Sequence, residues 1–204
     1  MTYTVGAAQI FTLFFIMLGP IKMIVPFARA TQHLERKAAD VLAYRSAIIG
    51  AAIAIVGGFA GSALLGNWGI DPLVLAMAGG IIFFVTAMKI VLPHAPEPAV
   101  PAVAEVPGVM QVIFPMILTP YGLAALIVFL AGSADPARTT TIVALLLANI
   151  ALDLLCMLFV RPILRVVTPT GMQVIFALLG VLMVALALQM ILMSAHQLGL
   201  VPMA

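Results

Sequence analysis

Lys22 and Asp153 carry ionisable groups inside long apolar stretches of a 204-residue chain. A charge in hydrocarbon costs at least about 2.5–3.5 kcal/mol, so it is normally paired, hydrated or reaching for an interface. Asp153 is too short to reach an interface and needs a partner. Asn149 precedes it by one helical turn and shares its face. Lys22 follows Pro20 closely. It can act as the cation of a site, or snorkel to the headgroups from the end of its span. Lys89, near the end of another apolar run, reads as such an anchor. Together these groups suit a small zwitterion: Lys22 for a carboxylate, Asp153 and Asn149 for an ammonium group or a coupling proton.

Two proline motifs lie beside this set. The first is LGPIKMIVP, residues 18–26, and the second FPMILTPYGL, residues 114–123. Proline inside a helix removes a hydrogen bond and clashes with the preceding turn. Gly19 tolerates a break, and Pro20 is favoured as the first residue of a new helix. In the second motif Thr119 is a natural N-cap and Pro120 the first helical residue. Two broken helices would bring two partly positive N-termini near the bilayer centre, where they attract carboxylates. A proline kink filled by packing satisfies the same residues, and both readings stay open. The candidate substrate-binding set is Gly19, Pro20, Lys22, Thr119, Pro120, Tyr121, Gly122, Asn149 and Asp153.

Other chemistry is missing from the pattern. His33, His94 and His196 fall in or beside loops, and no HExxH, CxxC or paired-His spacing occurs. We therefore expect no metal and no cofactor. No GxSxG and no Walker motif stands out, so we expect neither an enzyme nor an ATPase. Cys156 is the single cysteine, which excludes an internal disulfide. Basic residues are few and mostly flank apolar runs, which is no nucleic-acid footprint.

The elements that must hold these residues are membrane helices. Apolar residues make up 65% of the chain and charged residues 8%, where a soluble protein is about a quarter charged. About six segments are long enough to cross hydrocarbon, which takes roughly 20 residues. They cover 5–28, 46–66, 72–92, 109–131, 140–160 and 172–194. The first reads as a retained helix and not as a signal peptide. Gly50, Gly57, Gly58, Gly61, Gly79 and Gly80 read as close helix packing.

Residues 93–108, rich in Pro, Ala and Glu, read as a linker between a first repeat, 1–92, and a second, 109–204. At a shift of 100 residues Leu18-Gly19-Pro20 meets Leu118-Thr119-Pro120, Gly80 meets Gly180 and Ala87 meets Ala187. Three spans per half is an odd number, so the copies would enter the membrane from opposite sides, as inverted repeats. Arg29, Arg36, Lys37, Arg45, Lys89, Arg161 and Arg165 collect on one side, against Arg138 alone on the other. That side is then cytoplasmic and both termini lie outside.

Three stretches carry a family resemblance: LGPIKMIVPF (18–27), WGIDPLVLAMAGGIIFFVTAMKIVLP (68–93) and IFPMILTPYGLAALIVF (113–129). Through them nearly the whole chain resembles the MarC family of bacterial inner-membrane proteins, which belongs with the LysE-type exporters. The resemblance implies an all-α membrane fold in the inner membrane. For some members it implies transport of small neutral amino acids. The family often has Asn or Asp before the first proline and a Gly-Asn pair after it, where this chain has Gly19, Lys22 and Met23.

The reading that follows is a secondary transporter or exporter of small polar metabolites, neutral amino acids among them. Its partners are a small solute, the lipid bilayer and a proton or sodium ion, with no nucleic acid. The alternatives are a membrane-embedded enzyme acting on lipid, and a structural or regulatory membrane subunit. The first needs more polar groups near one interface than Tyr121, Lys22, Asn149 and Asp153. The second needs no polar interior at all.

Overall fold

The computed structural model describes residues 6–92, 108–133, 135–166 and 169–200, and among these the chain is all helix. The 93–108 linker falls outside the described residues except for Gly108, and so do the side chains of Lys89 and Arg165.

The first apolar run is not one rod. It forms α1, Ala7–Met17, and α2, Pro20–Ala30, interrupted at Leu18-Gly19. The cause is local: Gly19 sits at φ 35°, which L side chains avoid, and Pro20 opens the new helix. The next helix, α3, spans Arg36–Trp68 and ends on Gly69 in the left-handed conformation. Its 33 residues extend about 50 Å, well beyond a hydrocarbon core of about 30 Å. Hydropathy places its start ten residues later because Arg36, Lys37, Asp40 and Arg45 occupy the turns that project from the apolar part. Asp71 caps α4, Pro72–Val91, by accepting from the Leu73 amide at 2.8 Å.

The fourth apolar run is broken more deeply. α5, Val109–Val112, passes into a π-helical turn at Ile113–Ile117, and α6 begins only at Pro120 and runs to Ala131. The π turn contains Pro115, which has no amide to donate, and closes with Leu118 N–H donating to Ile113 C=O at 2.8 Å. Beyond it lie α7, Pro136–Leu158, α8, Val160–Val166, and α9, Pro169–Gln197.

Among the described residues, four stretches are long and apolar enough to cross a membrane: Ala7–Ala30, Arg36–Trp68, Pro136–Leu158 and Ala177–Gln197. Pro72–Met88 and Pro120–Ala131 are shorter apolar helices. The fourth run is divided among α5, the π turn and α6, and its apolar helix is Pro120–Ala131.

Packing divides the bundle in two. One core joins Phe14, Leu18, Met23, Ile113, Ile117 and Ile142 from α1, α2, the π turn and α7. The other joins Met17, Phe83, Ala87, Tyr121, Met183 and Ala187, and locks α4 against α9. Small residues set the approach of α3 to α6: a Cβ on Gly58 would lie 2.8 Å from Leu126 Cδ2. Val56, Phe59, Leu64 and Trp68 are exposed along α3, as a lipid-facing surface requires. Arg161 donates to the Leu34 carbonyl at 2.8 Å, which puts the α2–α3 connection and the start of α8 at the same end of the bundle.

Candidate functional site

The two helix breaks touch. The carbonyl of Met17, the last residue of α1, lacks the helical donor it would have in an unbroken helix. It accepts instead from Thr119 Oγ1 at 3.2 Å and from the Lys22 ammonium. Thr119 therefore works twice. Its hydroxyl bridges to the first break while the same oxygen accepts from Gly122 N–H at 3.2 Å and caps α6. Leu18 fills the space between the breaks, and a Cβ on Gly122 would lie 2.6 Å from Leu18 Cδ2. Only glycine permits that approach.

Lys22 reaches across the same junction. Its ammonium donates to Tyr121 Oη at 3.0 Å and lies 5.0 Å from the centre of the Tyr121 ring. Tyr121, 4% exposed, stacks on Phe83 of α4 with ring centres 4.7 Å apart. One cation thus links α2, α1 and α6, and through Tyr121 it meets α4.

Asn149 and Asp153 form the second part of the site. Both are 0% exposed on α7, the helix packed against α1, α2 and α3. Asn149 donates to Leu145 C=O at 2.9 Å, but its own side-chain oxygen has no partner among the described residues. Neither Asp153 oxygen has one either. Lys22 and Asp153 lie near enough to feel each other's charge but form no direct ion pair. Met17 and Tyr121, and not Asp153, hold the ammonium.

Eight of the nine sequence-predicted residues thus fall into two groups. Gly19, Pro20, Lys22, Thr119, Tyr121 and Gly122 converge on the junction of the breaks, and Asn149 and Asp153 stand beside it on α7. Pro120 is exposed. Among the described residues the junction of the breaks is closely packed. The space beside Gly19 and Lys22 measures about 10 Å³, barely enough for one water. A wider cleft of about 300 Å³ opens at the end of the bundle where α4 and α7 begin, and descends to Met17. Leu13, Val128, Phe129, Arg138 and Ser194 line it.

Three groups at or near the site escape sequence reasoning. The Met17 carbonyl is available only because α1 stops there. Ser46 is fully buried on α3 with an unpaired hydroxyl. Arg138 turns a buried, unpaired Nε into the wall of the cleft. None carries a motif; each is defined by where a helix ends or faces.

Gly19 offers a direct test of the break. Its φ of 35° and a would-be Cβ 3.0 Å from the Phe15 carbonyl mean that an alanine strains the backbone. Gly19→Ala should lower the unfolding free energy by about 1–3 kcal/mol in detergent. An unchanged value would mean that the break is relaxed.

Fold and site together define a multi-pass helical membrane protein with two interrupted helices in contact. The chain belongs to the MarC family of integral membrane proteins, whose family model matches residues 5–198. It is 27% identical over 185 residues to the UPF0056 inner membrane protein YhgN of Escherichia coli strain K12, covering 88% of this chain and 91% of that one. A UPF0056 membrane protein of Methanocaldococcus jannaschii is 22% identical over 187 residues, covering 89% and 91%. No solved structure matches the chain.

Proposed function

We propose that the protein is a secondary transporter or exporter of small polar metabolites, neutral amino acids among them, working by alternating access between two inverted three-helix repeats. One observation carries the reading: two interrupted helices meet at their breaks, and a lysine and a threonine both hold one backbone carbonyl there. Non-helical backbone at membrane depth is tolerated where protein covers it or where it lines a water-filled path. Here the cover is a handful of hydrogen bonds, which a solute with a carboxylate and an ammonium group can replace one for one.

Element boundaries support the repeat. α2 begins at Pro20 and α6 at Pro120; α3 begins at Arg36 and α7 at Pro136. Gly6 N–H donates to Gln9 Oε1 at 2.9 Å, and Gly108 N–H to Gln111 Oε1 at 3.2 Å, so the first helix of each half opens with the same cap. The packing exchanges in the same way: α1 and α2 lie on α7, while α6 lies on α3. Phe83 with Met183 and Ala87 with Ala187, related by the same shift, are all buried in the contact of α4 with α9.

The state described is occluded on this reading. The cleft that stops at Met17 is the outer half of the path, with Arg138 at its wall to receive a carboxylate. Transport requires Leu18 to leave Gly122 and the ammonium to leave Met17 and Tyr121. The inner-membrane name of the Escherichia coli relative supports the same membrane for this chain. The basic residues Arg29, Arg36, Lys37, Arg45 and Arg161 support a cytoplasmic face at the α2–α3 end, with both termini outside.

Thermal-shift screening of purified protein against small amino acids, organic acids and sugars tests the substrate class. Small zwitterions should raise the melting temperature, since a ligand bound at 100 times its Kd adds about 2.7 kcal/mol. A panel in which none does, while a lipid substrate does, would favour a lipid-directed activity. A reporter fused at the C-terminus should be active only outside the cytoplasm. Strong cytoplasmic activity would overturn both the orientation and the inversion.

A further inference from the structure

We propose that the coupling ion is a proton carried by the Asp153 carboxyl, and that Lys22 is the group that takes its place. The inference rests on the transport reading for its purpose, though the proton itself does not. Asp153 is 0% exposed and neither of its oxygens accepts a hydrogen bond. A bare carboxylate so buried is among the most costly states a protein can hold. One added proton removes that cost. It also answers a second orphan: Asn149, one turn earlier on the same face, points an unpaired acceptor with no donor. An acceptor left over beside an ionisable group that lacks a donor is the pattern a protonated carboxyl resolves.

The charged surroundings favour a proton over a metal ion. The cation on α2 that Asp153 feels is Lys22, and a sodium ion would place a second positive charge against the same carboxylate. α1 contains no ionisable side chain. On α6 the ionisable group is Tyr121, already bound to Lys22. On α3, Arg36, Lys37, Tyr44 and Arg45 are exposed and Asp40 is paired with Arg36. Arg161 of α8 is exposed and bound to Leu34. On α7 itself Cys156 stands within a turn, and Arg138 lies four turns away at the cleft. Cys156 and Arg138 offer sodium no oxygen ligand; the unpaired oxygens of Asn149, Asp153 and Ser46 could, so sodium is the competing occupant that the test includes.

The exchange balances. In the state described, Lys22 is an ammonium on Met17 and Tyr121, and Asp153 is neutral. When the breaks part, the ammonium loses both acceptors. Asp153 then gives its proton to water in the opened path, and its carboxylate pairs with the Lys22 ammonium. One proton leaves for each such turn: the open state pairs carboxylate with ammonium, and in the closed state the ammonium rests on the Met17 carbonyl and the Tyr121 hydroxyl without a counter-charge. Closing the junction reverses the step, with a proton drawn from the side then open.

The test needs no substrate. Infrared difference spectra are recorded on purified wild-type protein with unlabelled and with carboxyl-13C aspartate, near neutral pH, in sodium-free and sodium-containing buffer. We expect a protonated-carboxyl C=O band that shifts with the label, persists in sodium, and is absent from Asp153→Asn. Absence of a label-sensitive band would overturn the proposal, and so would its disappearance on adding sodium. The labelled wild type decides the matter even if Asp153→Asn does not fold. A band present in a protein that moves no solute would keep the proton and sink the transporter. Solute flux without a band would do the reverse.

Discussion

Lys22→Met should reduce solute flux in proteoliposomes on the order of a hundredfold while leaving the protein folded. The methionine matches the lysine out to Cε and fills most of the same space between α2 and Tyr121. It cannot donate to the Met17 carbonyl or to Tyr121 Oη. Removing one partner of a desolvated, hydrogen-bonded charge typically costs about 2–5 kcal/mol, and about 2.7 kcal/mol corresponds to a hundredfold in rate. Lys22→Arg keeps the charge but is bulkier, and beside a space of about 10 Å³ it should restore only part of the flux. A Lys22→Met protein with wild-type flux would make Lys22 a headgroup anchor and remove it from the site.

Thr119→Val should destabilise the fold by about 2 kcal/mol and impair transport as well. Valine keeps the shape and loses the hydroxyl. The Gly122 amide is then left without an acceptor, and the bridge to the Met17 carbonyl disappears. Loss of an N-cap costs about 0.5–2 kcal/mol in water, and a buried junction places the result at the upper end of that range. Thr119→Ser retains the oxygen and should lie within about 0.5 kcal/mol of wild type. Equal stability of the valine and serine variants, measured by reversible unfolding in mixed micelles, would show that the cap contributes nothing.

Much of this arrangement is legible in the sequence. Gly19-Pro20 and Thr119-Pro120 mark breaks because proline and glycine act locally, and local rules survive in a membrane. Lys22, Asn149 and Asp153 were legible as exceptions in an apolar background. What sequence cannot convey is which partner each exception takes. Lys22 turns to Met17 and Tyr121 and not to Asp153. The reason is a carbonyl freed at one residue by the end of α1, and a phenol brought across from a segment 99 positions away. The closure of the junction was also illegible, since it depends on Leu18 fitting against Gly122. Hydropathy misjudged α3 for a different reason: its first ten residues are helical but polar, and span length records polarity and not backbone.

The account stands on the claim that the contact between the two breaks must open for solute to pass. A cysteine pair, Leu18→Cys with Gly122→Cys in a Cys156→Ser background, places the lock at that contact. Flux of a small amino acid into proteoliposomes is measured after oxidation and again after reduction, with cross-link formation followed on the same sample. The account predicts flux that falls to the level of empty liposomes when the pair is joined and returns when it is reduced. Undiminished flux through a fully cross-linked protein would contradict it.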